Sequence, residues 1–456
     1  MIFTDAKFFA FFPLTFAVYW WLGDNRSRKQ WLLLASILFY AAWDWRFLGV
    51  VLVVILNTYF VTRLVGEWAP ERWRGRILTA GIVVSLSALG VFKYYNFFAD
   101  SLARVTPVNL GMREIVLPIG ISFYTFHSIS YMIDSYQRKI VPAREFVDVA
   151  LYILFFPQLV AGPIVRATDL LPQLRESRAI AAVNFKYQLT LFLIGYFKKA
   201  VVSDNLSPTI DRFFAHPSSF GAGDAALAVL FYAVQIYCDF SGYTDMAIAI
   251  AGMLGYQLKP NFAHPYLAPN LNEFWRRWHM SLTSWFRDYV YFPLSLTRIM
   301  RGRWPLVLLV TFLVTGLWHG ASWTFVFWGG LHGTGLIVHR LFQRGREPSY
   351  SIAGNLLTFA FVCFAWIFFR APDFTTAAAV LGRFAVPAMP TLIALTPAAI
   401  ALAAFTAVHV LTSRVDLQTI LSRTDDFVFA AAYGAAAALV LPFVNVAVKP
   451  FIYFQF

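Results

Sequence analysis

The stretch from Trp304 to His339 reads WPLVLLVTFLVTGLWHGASWTFVFWGGLHGTGLIVH. Apart from His319, His332 and His339 nothing in it ionises, and it outruns the roughly 20 residues that a helix needs to cross a bilayer. A transmembrane β-strand would alternate polar and apolar residues over about ten positions, whereas this run is continuous in Leu, Val and Phe. Helices in lipid are the reading that leaves no backbone group unsatisfied. The centre carries Thr315-Gly316-Leu317-Trp318-His319-Gly320-Ala321-Ser322-Trp323. Its glycines permit close backbone approach or a helix break, so the run is expected to be interrupted there.

Working outward, comparable runs lie at 8–22, 31–43, 48–62, 77–92, 115–133, 146–162, 187–202, 225–255 (interrupted), 351–369, 392–412 and 427–447. Hydrophobic residues make up 59% of the 456 positions and charged ones 13%, with a mean hydropathy of +0.61, which excludes an ordinary soluble enzyme. Only Cys238 and Cys363 are present, both inside apolar runs, so a disulfide scaffold is excluded as well. The net charge of +13 comes from basic residues scattered between the apolar runs, which argues for membrane topology and against nucleic acid as a partner. The segment 1–23 has Lys7 as its only early base and no A-x-A pattern, and is expected to be a retained first span.

The basic segments Arg63 to Arg76, Arg138 to Arg144, Arg166 to Lys186, Arg276 to Arg303 and Arg340 to Arg346 are expected in the cytoplasm, and the acidic 203–224 outside. Both flanks of 146–162 are basic, so one simple span there would contradict the charge rule. With Pro157, Gly162 and Pro163, a broken, re-entrant element removes the conflict and puts the N-terminus outside. The expectation is an all-α polytopic membrane protein of about 11–13 membrane segments, one integral-membrane domain over 1–456, with a core at about 77–370 and C-terminal spans at 392–447.

Ionisable groups at membrane depth are costly and point to function. A neutral imidazole at His319 can take a proton from a hydroxyl; the alternative is a core histidine bonded to a helix carbonyl. His332 is a further candidate. Between Asn272 and Tyr289 the helical angle puts Glu273, Arg276, Arg277, Thr283, Ser284 and Arg287 on one arc and Trp275, Trp278, Leu282, Trp285, Phe286 and Tyr289 on the other. That predicts an interfacial helix, with His279 at the boundary between the arcs, where it either points into a cavity or merely belongs to a headgroup anchor. In Gln235 to Asp245, Asp239 and Asp245 either bind a cation or relay protons, or, as favoured, the Phe-Ser-Gly-Tyr stretch is a turn whose backbone Asp239 and Ser241 satisfy. No H-E-x-x-H, C-x-x-C, P-loop or G-x-S-x-G is present, so no metal site is expected.

The chain resembles the membrane-bound O-acyltransferase family, and within it the bacterial alginate O-acetyltransferase type. The resemblance is carried by Leu117 to Phe126, Phe156 to Arg166, Asp239-Phe240-Ser241-Gly242-Tyr243, Phe274 to Tyr289, Gly316-Leu317-Trp318-His319-Gly320 and Phe364 to Arg370. It adds little beyond about residue 390. It implies a helical bundle with re-entrant elements and a central tunnel in the bacterial inner membrane. In that tunnel a cytoplasmic thioester, acetyl-CoA, meets the hydroxyl of an extracytoplasmic polysaccharide or a relay partner protein, with no bound cofactor. By the same resemblance His319 matches the essential histidine and His279 the second one. Arg276, Arg277 and Arg287 are then available for donor phosphates at the rim, Asp288 to orient a histidine, and Trp318, Asp239, Ser241 and Tyr243 to line the tunnel. Backbone N–H groups near Gly316 or Gly320, or His279, are the candidate oxyanion donors. D-alanyl transfer to a cell-wall polymer is the alternative within the family. A transporter using His319, Asp239 and Asp245 as a proton path is the alternative outside it.

Overall fold

The computed structural model describes residues 1–343, 351–388 and 395–440, and every regular element among the described residues is helical. The expected runs fall mainly on helices, with 115–120 lying before Ile121–Tyr136; the runs 392–412 and 427–447 and the basic segment Arg340 to Arg346 extend in part beyond the described residues. Among the described residues, four helical stretches are long and apolar enough to cross a membrane: Asn25–Trp68, Glu71–Val105, Ala222–Met253 and Ile352–Arg370. Trp304–His319 and Asp426–Val440 are shorter apolar helices. Their outward faces carry residues such as Leu52, Val53, Leu356 and Leu357 in the open, as lipid contact requires. The molecule is an all-α, multi-pass membrane protein. It gathers into two compact units, Met1–Phe192 with Met246–Lys259, and Leu193–Asp245 with Pro260–Phe456.

In the first unit, Leu48–Arg63, Glu71–Leu89 and Ile121–Tyr136 pack through small polar side chains. Ser128 Oγ lies 2.7 Å from Thr58 Oγ1 and 3.1 Å from Ser85 Oγ, and Asn57 Nδ2 donates to Ser85 Oγ at 3.0 Å. Within lipid such bonds contribute about 0.6 kcal/mol each and hold the helices in register. The expected broken element is there. Phe146–Leu154 is a nine-residue helix, far short of a span, and is followed by the four-residue helix Phe156–Leu159. The break starts at Phe155, and Pro157 sits in the first turn of the second helix, where a missing N–H costs nothing. Beyond it, Val165 N–H donates to His127 Nε2 at 3.1 Å, tying the non-helical return to Ile121–Tyr136.

Two expectations need correction in the second unit. Ala222–Met253 is one helix of 32 residues, so 225–255 is not interrupted and Phe240 to Tyr243 makes no turn. Gly242 serves close packing instead: a Cβ there would run into Gly195 O, Lys198 Cβ and Lys199 N. A glycine inside a helix costs about 1 kcal/mol, less than opening backbone in an apolar setting. Asp239 and Asp245 then have no turn to satisfy. Asp239 pairs with Lys199 at 2.7 Å, Lys199 also reaches Asp204 at 2.6 Å, and Asp245 pairs with Lys198 at 2.7 Å.

The second correction concerns 272–289. The arcs are real, since Trp275, Trp278, Leu282, Trp285 and Phe286 are buried and Arg276 and Arg287 exposed, but the helix is not continuous. Leu271–Arg277 ends, Trp278 is extended, His279 turns left-handed at φ 43°, and Met280–Phe286 begins. The cause is tertiary: the segment 261–263 lies against the junction, with Ala263 N–H donating to Arg277 O at 3.0 Å and Met280 N–H to Asn261 O at 2.9 Å.

Candidate active site

His319 is the last residue of Trp304–His319; Gly320 caps that helix, Ala321 and Ser322 turn, and Trp323–Phe342 returns against it. Ser322 starts the second helix by accepting the Thr324 N–H. The pair closes because two glycines face each other: a Cβ on Gly316 would strike Phe325 O, and one on Gly329 would strike Phe312 O and Gly316 Cα. Gly329→Val is therefore expected to destabilise at the upper end of the roughly 1–3 kcal/mol typical of overpacking, read as a fall in detergent melting temperature. Gly320 N–H lies 3.4 Å from Gly316 O, a long bond that engages one of the candidate oxyanion donors near Gly316 and Gly320.

The His319 ring is 2% exposed and boxed by aromatic edges. Its centroid lies 4.9 Å from Trp318, 5.0 Å from Trp328 at 86° and 5.2 Å from Phe369 at 69°. Trp328 stacks on Trp366 at 5.7 Å, so Ile352–Arg370 supplies the back wall. On another side of Trp318, 6.2 Å between centroids, sits His279, with 0% exposure. Phe240 of Ala222–Met253 packs edge-on to it at 4.5 Å. The two histidines, 40 residues apart in number (279 and 319), thus share one tryptophan.

His279 pays backbone strain of order 1 kcal/mol for its left-handed conformation, which His tolerates better than most residues. Its Nδ1 lies 3.2 Å from Asn261 Oδ1, which also accepts the Ser281 N–H at 3.0 Å and the Ser281 hydroxyl at 2.9 Å. Nε2 is buried without a hydrogen-bond partner among the described residues. Burial pushes the imidazole down to about 3, so it is neutral at physiological pH. A neutral imidazole has one N–H, so the tautomer decides whether His279 can offer Nε2–H to an oxyanion.

The other sequence candidates make the following contacts among the described residues. Arg276 and Arg277 fork onto Glu273 at 2.9 and 3.4 Å, and Arg287 pairs with Asp288 at 2.8 Å. Asn261 Oδ1 is the described neighbour of His279 Nδ1. Ser241 and Tyr243 are buried in Ala222–Met253, where Phe240 is the neighbour that touches His279. His332 Nδ1 accepts from Trp275 Nε1 at 3.3 Å, a packing role. Asn261, Phe240, Trp328 and Phe369 were invisible as site residues. Asn261 lies 18 residues before its histidine, with the separate elements Pro265–Leu267 and Leu271–Arg277 between them, so no single helix or strand relates the two, and its local signal is a Pro260-Asn261 loop pair.

Comparison with known proteins gives the site its family. The model of the membrane-bound O-acyltransferase family matches residues 37–371. A probable alginate O-acetylase of Azotobacter vinelandii is 41% identical over 389 residues, covering 83% of this chain and 76% of that protein. The peptidoglycan O-acetyltransferase of Helicobacter pylori is 35% identical over 83% of this chain and 78% of its own length. A teichoic acid D-alanyltransferase of Streptococcus thermophilus is 27% identical over 65% and 72%. Both histidines lie within the matched residues. The chain belongs to the membrane-bound O-acyltransferase family and is an acyltransferase enzyme.

Proposed function

We propose that the protein transfers an acetyl group from a cytoplasmic thioester, acetyl-CoA, to a hydroxyl of an extracytoplasmic polysaccharide or of a relay protein that serves one, and that it does so in the bacterial inner membrane. The observation that carries this reading is the pair of buried histidines beside Trp318, in a chain most similar, among the relatives compared, to polymer O-acetylases. The acceptor oxygen attacks the thioester carbonyl carbon while His319 takes its proton. The C–S bond then breaks, and the proton follows to the departing thiolate. His279, with an acceptor at Nε2, receives a hydrogen bond from the acceptor molecule and aligns it. Trp318 and the aromatic box exclude water, which would otherwise hydrolyse the donor.

Acetyl is favoured over D-alanyl by the identities, 41% and 35% to acetylases against 27% to a D-alanyltransferase. Arg276 and Arg277 lie on the same exposed helix end, where they suit donor phosphates. Arg276→Ala is expected to raise the donor KM several-fold with kcat little changed, and an unaltered donor KM would remove it from that role. The reaction itself is tested in detergent, with no ion gradient, by offering acetyl-CoA and a D-alanyl carrier thioester in parallel with membrane extract. Consumption of acetyl-CoA alone is expected; consumption of the carrier thioester alone would replace the donor, and consumption of neither would refute the reading.

A further inference from the structure

We infer that Asn261 is a positioning residue for acyl transfer, fixing His279 in the tautomer that carries its proton on Nδ1 and presents a lone pair at Nε2. The inference rests on the assignment of His279 to the reacting pair.

The orientation of the Asn261 amide follows from chemistry. The atom that meets the main-chain N–H of Ser281 at 3.0 Å must be an acceptor, because an NH2 there would set donor against donor. That makes it Oδ1, and the Ser281 hydroxyl at 2.9 Å agrees. His279 Nδ1, 3.2 Å from the same oxygen, must then be the protonated nitrogen. In a neutral ring the other nitrogen holds the lone pair, so Nε2 can only accept.

Two open valences support a substrate-facing arrangement. His279 Nε2 and Asn261 Nδ2 are both buried without a partner among the described residues, so the acceptor and the donor of this linked pair keep capacity that the protein does not use. Leaving such groups empty costs roughly 1–3 kcal/mol each, a cost that a bound hydroxyl or carbonyl would remove. Asn261 also has a plain structural duty, since its side-chain oxygen accepts the Ser281 N–H and hydroxyl at the start of the helix that follows the break at His279. Loss of stability in a variant is therefore no test; the protonation state and pH behaviour of His279 are.

The full-length protein in detergent is used throughout. In protein labelled with 15N at histidine, the His279 signal, assigned by its loss in His279→Ala, is expected to show a protonated Nδ1 and an unprotonated Nε2. Asn261→Ala is expected to lower kcat at least tenfold with the acetyl-CoA KM within twofold. Asn261→Asp keeps the oxygen but sets a carboxylate beside Nδ1–H, which favours the imidazolium. An acceptor that works only when neutral then needs a higher pH, so the acid limb of kcat is expected to move upward. Should the alanine variant fail to fold, the spectrum and the aspartate variant carry the test. A protonated Nε2 in the native protein, or an acid limb unmoved in Asn261→Asp, overturns the proposal while leaving the function intact. Full activity in His279→Ala removes both this proposal and the role given to His279.

Discussion

His319→Ala is expected to lower acetyl transfer by about 10²- to 10⁴-fold, the usual contribution of a positioned general base. Trp318, Trp328 and Phe369, which box the ring, cannot take over, since none has a side-chain group that accepts a proton. Truncation also leaves a cavity in an aromatic core, which loosens the fold as well as removing the base. His332→Ala separates the two effects. That ring is equally buried, packs on the same Trp328 at 4.8 Å and is bonded to Trp275, yet takes no part in the proposed chemistry. The two variants should fall in melting temperature by similar amounts, with only His319→Ala losing transfer by orders of magnitude. Equal losses of activity would mean that both act through packing.

Lys199→Met is expected to destabilise the second unit by about 3–5 kcal/mol, the range for removing one partner of a buried ion pair. Lys199 and Asp239 each have side chains 2% exposed, and the same ammonium serves Asp204. Without the cation, two carboxylates face each other at the seam between Phe197–Ser203 and Ala222–Met253. Replacing Lys199, Asp204 and Asp239 together by apolar residues should cost much less than Lys199→Met, because the desolvation penalty goes with the charges. Melting in detergent reads both. A single variant as stable as the native protein would contradict the burial of this pair and reopen a proton path through Asp239.

Much of the fold is legible because lipid imposes a simple rule: backbone must be satisfied locally, so long apolar runs become helices. The turn at Gly320 to Ser322 and the broken element after Phe146 were also readable, the one from small and polar residues in an apolar run, the other from proline, glycine and the charge on both flanks. Where reading failed, the deciding partner was distant in sequence. Gly242 looks like a breaker until the 195–199 backbone is brought against it. Trp278-His279 looks like mid-helix until Asn261 and Ala263 pair with the residues around it. His319 and His279 were both visible as ionisable residues in apolar surroundings, but the Trp318 ring that both approach and the amide beside His279 Nδ1 depend on tertiary contacts no period encodes.

The most direct measurement is transfer of radiolabelled acetyl from acetyl-CoA by purified protein, with and without membrane or periplasmic extract, for the native enzyme and His319→Ala side by side. Label passing to extract material with the native enzyme and vanishing in the variant is the expected result, and the labelled material then identifies the acceptor. Transfer that persists in His319→Ala would contradict the central role of that histidine, and the absence of both transfer and donor binding in the native enzyme would contradict acetyl-CoA as the donor.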